Sequence, residues 1–279
     1  MQTSIFTLNC NGKLITINHP IVMGIINTTP DSFYADSRKN KVEASLMQAE
    51  KMLQQGAAII DIGGQSTKPN SLKIDTVEEL QRVIPSIEAV KKRFPDCIIS
   101  IDTFNATVAA EAIQAGASIV NDVSGGLMDV TMISTVAQFN VPYICMHMKG
   151  TPQNMQQNPL YENVTKEVLD YFIERTNTCS QAGIQDMIID IGFGFGKTIA
   201  HNFQLLRELS VFKILQKPIL IGVSRKSTIY KTLGITTEEA LNGTTVLHTI
   251  GLMNGANILR VHDVKEAVEC VQLFKAYQA

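Results

Sequence analysis

The residues from Ile98 to Gly126, IISIDTFNATVAAEAIQAGASIVNDVSGG, constrain the fold more than any other stretch of the chain. Ile98, Ile99 and Ile101 form a short apolar run that Asp102 ends. Val108, Ala109, Ala112 and Ile113 then recur at helical spacing until Gly116. Ile119 and Val120 start a second apolar run, closed by Asn121 and Asp122. Short runs rich in β-branched residues, joined by a helix, are the pattern of parallel strands buried on both faces. In such sheets the ligand sits at the C-terminal strand ends, marked here by polar residues.

The same phrase recurs. Gly56-Ala57 leads through Ile59 and Ile60 to Asp61, Gly116-Ala117 through Ile119 and Val120 to Asn121, and Gly255-Ala256 through Ile258 and Leu259 to Arg260. A looser copy runs from Gly183 to Asp190. Each glycine suits a helix C-terminal stop. The spacing is uneven, which fits a βα repeat within one domain rather than a solenoid.

Along the chain, residues 4–8 and 13–17 flank Asn11-Gly12 as a hairpin, and Ile21 to Ile26 is the first buried strand, ending in Asn27. Further strands are expected at 58–62, 98–101, 119–120, 141–146, 187–190, 218–223 and 258–261. Helices are expected at about 42–55, 77–94, 105–115, 129–139, 162–181, 203–209, 227–233, 238–253 and 264–277. Eight strands in βα alternation over 279 residues fit a (β/α)8 TIM barrel with an N-terminal β-hairpin at residues 1–18. An open doubly wound sheet is the alternative. However, the first strand is followed by Asn-Thr-Thr-Pro-Asp and not by a GxGxxG turn, which argues against a dinucleotide site.

The 45% hydrophobic content supplies a large core, and no Pro/Ser/Gly-rich linker divides the chain, so residues 1–279 read as a single domain. A net charge of −2 gives no reason to expect nucleic acid or an anionic membrane as partner. Five scattered cysteines without a CxxC pair read as reduced thiols of a cytoplasmic protein. Residues 1–20 lack a signal-peptide pattern, and no apolar run approaches a membrane span.

Asn27, Asp61, Asp102, Asn121, His147, Asp190, Ser224, Lys226, Arg260 and His262 all fall at strand ends. Any one alone reads as a cap or turn former. In a barrel they converge on one mouth. The aspartates and Asn121 are acceptors for a ligand rich in N–H groups. Lys226, Arg260 and His262 suit an anion, and Asn27 offers a neutral oxygen to a Mg²⁺ held mainly by water and phosphate. The implied ligand is a polyanion beside a donor-rich heterocycle. No HxH, HExxH or CxxC spacing suggests protein-held zinc.

Asn27-Thr28-Thr29-Pro30-Asp31-Ser32-Phe33 resembles the NVTPDSF signature of the dihydropteroate synthases, and Asp61 to Pro69 (DIGGQSTKP) resembles their second signature, DIGGESTRPG. Ser100 to Thr103, Asn121 to Gly125, Met146 to Gly150, Gly194 to Lys197, Ser224 to Ser227 and Arg260 to Val264 match the family in order. The resemblance covers nearly the whole chain. It implies a single pterin-binding barrel and a reaction of folate synthesis. In that reaction a (7,8-dihydropterin-6-yl)methyl diphosphate condenses with 4-aminobenzoate, giving 7,8-dihydropteroate and diphosphate by a dissociative route.

The resemblance also implies the site residues. Asp102, Lys226, Arg260 and His262 are the catalytic set, and Asp102, Asn121, Met148, Asp190, Phe195, Lys226 and Arg260 hold the pterin. Asn27, Thr67, Arg260 and His262 take the diphosphate, and Asn27 ligates Mg²⁺. Phe33, Lys68, Pro69 and Ser227 bind the aminobenzoate, and Asp36 serves loop closure. A homodimer through the late barrel helices, sensitive to sulfonamides as aminobenzoate analogues, is the family expectation. A corrinoid-linked methyltransferase would share the barrel and the pterin contacts, but it needs no diphosphate or aminobenzoate site. A non-catalytic pterin-binding paralogue would not need the intact cationic set.

Locally, Asp102 reads as a cap for the helix starting near Asn105, Asn121 and Asp122 as an Asx turn with Asp122 structural, and His147 as a packed histidine. Asp61 reads as ordering the second loop rather than touching substrate. GFGFGK (192–197) looks like a phosphate loop without Walker spacing, and its expected role is to wall the pterin pocket. Met146, Met148 and Met253 read as core fillers. The chain departs from the family pattern at Gln65, Lys68 and Ile191, and in its first loop, Tyr34 to Arg38.

Overall fold

Asn11 and Gly12 both adopt left-handed backbone angles, φ 54° and 85°, the two-residue turn that a right-twisted hairpin needs. They join β1 (Phe6–Cys10) to β2 (Lys13–Ile17) with Cys10 opposite Lys13. The structure, a computed structural model, describes residues 5–28, 38–66, 73–155, 157 and 159–278. The expected positions Phe33, Asp36, Thr67, Lys68 and Pro69 lie outside the described residues.

The remaining strands are β3 (Ile21–Asn27), β4 (Ile59–Gly63), β5 (Ile99–Asp102), β6 (Ile119–Asp122), β7 (Tyr143–Met146), β8 (Met187–Asp190), β9 (Ile219–Ile221) and β10 (Ile258–Val261). They pair in parallel in that order and close by β10 pairing with β3, which makes an eight-stranded barrel. Around it lie α1 (Arg38–Gln54), α2 (Thr76–Arg93), α3 (Ala106–Gln114), α4 (Met132–Phe139), α5 (Val164–Ala182), α6 (Ile199–Arg207), α7 (Ser227–Leu233), α8 (Leu241–Met253) and α9 (Val264–Gln278). The repeat glycines end their helices with positive φ, 98° at Gly56, 117° at Gly116, 97° at Gly183 and 108° at Gly255. The βα phrase in the sequence is therefore a run of helix stops. Among the described residues, no helix is long and apolar enough to cross a membrane.

Side chains alternate faces along a strand, and this splits the apolar residues in two. Ile60, Ile62, Ile99, Ile101, Val120, Ile189, Ile221 and Leu259 pack outward against the helices in one buried cluster. Met23, Ile59, Ile119, Ile144, Ile188, Leu220 and Ile258 point inward and form a second cluster. Leu8, Cys10 and Ile17 of the hairpin join that inner cluster. The hairpin thus plugs the N-terminal end of the barrel.

Two expectations are corrected by hydrogen-bond accounting. The cap of α3 is Asn105, whose Oδ1 accepts from the N–H of Thr107 at 3.0 Å and of Val108 at 3.4 Å; Asp102 is left out of the cap. Asp129 stands before α4 rather than in it, because its carboxylate accepts from the N–H of Thr131 at 3.0 Å and of Ala106 at 2.8 Å. Two segments are 3₁₀ turns, Leu209–Leu215 and Glu238–Ala240, the second lying where one continuous helix was expected.

Leu8 is 2% exposed at the centre of the plug. Leu8→Ala removes that filling and is expected to cost about 2–4 kcal/mol. Urea unfolding should show a lower midpoint at unchanged slope.

Candidate active site

Two residues beyond five of the inward apolar residues, the barrel interior changes character. Ile59 is followed by Asp61, Ile98 by Ser100, Ile119 by Asn121, Ile188 by Asp190 and Ile258 by Arg260. Two residues further stand Asp102, Ser224 and His262. The period of the strand alone therefore stacks an acceptor-rich and cationic layer on an apolar floor.

Arg260 is the centre of this layer. Its Nε donates to Asp61 Oδ2 at 2.7 Å, its Nη2 lies 2.6 Å from the same oxygen, and Nη2 also donates to Asp102 Oδ2. Asn121 Nδ2 donates to Asp61 Oδ2 at 3.1 Å. Asp61 is fully buried, and its second oxygen has no hydrogen-bond partner among the described residues. This overturns the expectation that Asp61 orders the second loop: it holds the guanidinium from below. Asn121 likewise makes no Asx turn but joins this network.

Burial raises the Asp102 carboxyl to about 7, against the lowering pull of Arg260 and with the help of Asp61. Burial opposes the Arg260 charge, but Asp61 and Asp102 outweigh it and raise its pKa. Two carboxylates against one guanidinium leave this spot poised to accept further positive charge.

Asp190 ends β8. Its Oδ1 accepts from Gly192 N at 2.8 Å, and burial raises its pKa while Lys226 opposes the rise. Lys226 donates to Phe193 O and lies 4.5 Å from the Phe195 ring centroid. Burial lowers the Lys226 ammonium to about 8, with Asp190 resisting. Met148, 8% exposed, packs with Phe104, Val123, Met146 and Met155, and Phe195 lies against them. Met146 and Met148 thus belong to a separate apolar patch at the mouth, distinct from the main core, and Met253, expected in the core, is exposed at the end of α8.

On the other side, Ser224 Oγ lies 3.1 Å from His262 Nδ1 and accepts from His262 N at 3.3 Å. His262 is exposed at the rim. The surrounding protein first, and the Arg260 cation second, lower its pKa and keep the ring neutral near pH 7. Ser227 opens α7 directly after Lys226, so its backbone N–H is one of the free donors of a helix start. Asn27 ends β3 and is exposed. Among the described residues, no group of three or more His, Cys, Asp or Glu side chains is placed to hold a metal.

The structure thus gathers Asp102, Asn121, Asp190, Lys226, Arg260, His262, Met148, Phe195, Ser227 and Asn27 at one end of the barrel. Asp122 has the structural role expected, accepting from Ser124 N at 2.7 Å, Gly126 N at 2.7 Å and the Tyr143 hydroxyl at 2.7 Å. Three side chains were not assigned their roles from sequence. Asp61 was recoverable, since it stands at the same offset from Ile59 as Asp190 does from Ile188. Lys197 and Arg225 carry no local signal of direction. Arg225, at φ 51°, forms a fork on Asp263 at 2.8 and 3.0 Å and donates to the carbonyls of Thr237 at 3.1 Å and Glu238 at 2.7 Å. It ties the loop after β9 to the loop after β10.

Comparison with known proteins agrees with this geometry. Residues 23–262 match the model of a family described as "Pterin binding enzyme". A dihydropteroate synthase of Haemophilus influenzae is 42% identical over 271 residues, covering 96% of this chain and 98% of that protein. The Yersinia pestis dihydropteroate synthase, solved as a sulfonamide drug complex, superposes with a TM-score of 0.92 at 39% identity, covering 98% of this chain and 99% of the other. A Xanthomonas albilineans dihydropteroate synthase with 4-aminobenzoic acid gives 0.91 at 37% identity and covers 99% of both chains. The chain therefore belongs to the pterin-binding enzymes. Within them its activity is that of a dihydropteroate synthase, a transferase.

Arg225→Ala leaves Asp263 without its fork and frees two carbonyls. It is expected to cost about 2–3 kcal/mol, less than the loss of one partner from a fully buried pair. Arg225→Lys should restore little, because an ammonium cannot reproduce the fork. Thermal unfolding of the two variants checks both statements.

Proposed function

We propose that the condensation proceeds dissociatively, with the residues of the mouth in distinct roles. The observation that carries this reading is the Arg260 guanidinium, held edge-on by Asp61 and Asp102 while its Nη1 makes no hydrogen bond among the described residues. Asp190 accepts the amino and ring N–H groups of the pterin through its carboxylate, Asn121 and Lys226 hold other ring heteroatoms, and Met148 and Phe195 pack on the ring. Arg260, with Asn27, His262 and Thr67, takes the diphosphate. The C–O bond between the pterin methylene and the diphosphate breaks, and its electron pair leaves with the diphosphate. The methylene cation that results lies beside Asp102, whose surroundings favour added positive charge. The aryl amine, neutral at pH 7, forms the C–N bond with its lone pair and then loses a proton to solvent.

Asn27, a lone exposed oxygen ligand, fits a Mg²⁺ held mostly by diphosphate oxygens and water. When bound, that ion supplies charge neutralisation to the leaving group. Ser227 and the start of α7 receive the aminobenzoate carboxylate, with Phe33, Lys68 and Pro69 as the wall and Asp36 in loop closure. A sulfonamide, as an aminobenzoate analogue, competes at the same place. A homodimer through the late helices is supported by Val246, Ile250 and Met253, apolar residues exposed on α8, and a cytoplasmic location by the five free cysteines.

Diphosphate release with Mg²⁺, measured with and without 4-aminobenzoate, tests the reading. Wild type should release diphosphate and, with the amine, form dihydropteroate. Asp190→Ala should lose at least about 100-fold in kcat/KM, the scale of a charge-assisted bidentate contact. Equal release by both proteins would refute the pterin role of Asp190.

The pH profile follows from two side chains. Asp102, at about 7, is protonated below that pH and cannot then stabilise a cation. Lys226, at about 8, loses its charge above that pH. In the free enzyme, kcat/KM for the pterin diphosphate should rise towards pH 7 and fall above pH 8. Lys226→Arg should remove the alkaline fall.

A further inference from the structure

The glycine-rich segment 192–197 has the look of a phosphate loop, yet three of its six amides are already used. Gly192 N donates to Asp190 Oδ1 at 2.8 Å, Gly194 N to Asn202 Oδ1 at 2.7 Å, and Phe195 N to Gly192 O at 3.0 Å. Lys197, which would be the phosphate-binding amine, is 3% exposed and turned inward. Its Nζ lies 3.2 Å from His147 O, 3.0 Å from Gly192 O, 3.0 Å from Phe195 O and 2.9 Å from His147 Nδ1. Burial first, and the nearby Lys226 cation, lower its pKa, while Asp190 opposes them. The Nζ–Nδ1 contact fits a lysine donating to a neutral His147 ring whose proton is on Nε2. Burial and Lys197 lower the pKa of that ring to about 2, in keeping with this form.

The segment also fits the end of β7 too closely for any other backbone. A Cβ at Gly192, φ 66°, would fall 1.8 Å from His147 O, and one at Gly196, φ 60°, 2.4 Å from Lys149 O. Two backbone stretches pressed together bring several carbonyl oxygens to one point. Buried carbonyls need a hydrogen-bond donor, and Lys197 supplies it.

We propose that Lys197 is the positioning residue of the pterin pocket. It clamps the loop after β8 to the end of β7, and the loop in turn presents the pterin-facing groups. Three contacts depend on the clamped loop: the Gly192 N–H that fixes one Asp190 oxygen, the Phe193 carbonyl that takes the Lys226 ammonium, and the Phe195 ring beneath that ammonium. Lys197 itself touches no substrate. Its effect falls on ground-state and transition-state binding of the pterin alike, so it belongs in KM rather than kcat. The proposal rests on the pterin reading of Asp190 and adds an anchor behind it.

The test compares Lys197→Met, which cannot donate, with Lys197→Gln, which can donate to two of the four acceptors. Steady-state kinetics are followed for both substrates, alongside thermal unfolding. The pterin diphosphate KM should rise at least about 10-fold in the Met variant and by an intermediate amount in the Gln variant. The kcat and the 4-aminobenzoate KM should stay within about 3-fold of wild type in both. Unchanged pterin KM in both variants would overturn the proposal, as would a parallel fall in kcat and loss of both affinities. Failure of both variants to fold would also overturn it, by making the clamp a requirement of the barrel as a whole. A normal pterin KM in Asp190→Ala would instead remove the pterin reading, whatever Lys197 does.

Discussion

A guanidinium inside a barrel is stable only if carboxylates meet it there, and here two do. Arg260 stands on β10 and reaches past β3, whose inward residue at that level is the apolar Ile25, to Asp61 on β4 and Asp102 on β5. Removing either carboxylate would strand a buried charge. Keeping both leaves the neighbourhood short of positive charge. The same pairing that makes Arg260 tolerable in the interior orients it and, in the dissociative route proposed above, sets Asp102 beside the methylene cation.

The rest of the mouth follows from a strand period of two and a helix stop repeated along the chain. One inward position supplies a floor of isoleucine, leucine and methionine, and the next supplies the polar layer. Each strand contributes one or two side chains, so residues far apart in the chain become neighbours without any long loop inside the barrel. Arg225, forked on Asp263, fixes the loops after the last two strands against each other, which sets where Ser224, Lys226, Ser227 and His262 stand.

Much of this was legible in the sequence. The glycine-alanine phrase, the short β-branched runs and the polar residues that end them give the barrel and its mouth. Asn11-Gly12 gives the hairpin. The signature motifs point to the residues that the structure brings together around Arg260, Asp190 and Lys226. What escaped has a common cause: direction. Nothing near Asp61 in the chain says that it turns towards an arginine far away in sequence rather than towards its own loop. Nothing near Lys197 says that a lysine in a glycine-rich turn faces backbone carbonyls and not solvent. The cap of α3 shows the converse, since Asn105 and Asp102 are both plausible by residue type and the backbone angle at Asn105 decides. Such choices are made by packing between segments, and a single sequence does not carry them.

The plug formed by Leu8, Cys10 and Ile17 has a consequence for molecular traffic. A barrel closed below is a cup, and everything enters and leaves by its rim. Of the groups assigned to the pterin, Asn121 and Asp190 are buried on their strands, while Ser227 stands past a strand end, at the start of α7. A molecule seated on the edge therefore blocks the way down, and one seated on the floor does not block the edge. With the substrates seated as proposed, the cup imposes a queue: the deep guest arrives first, and nothing below departs until whatever lies above has gone.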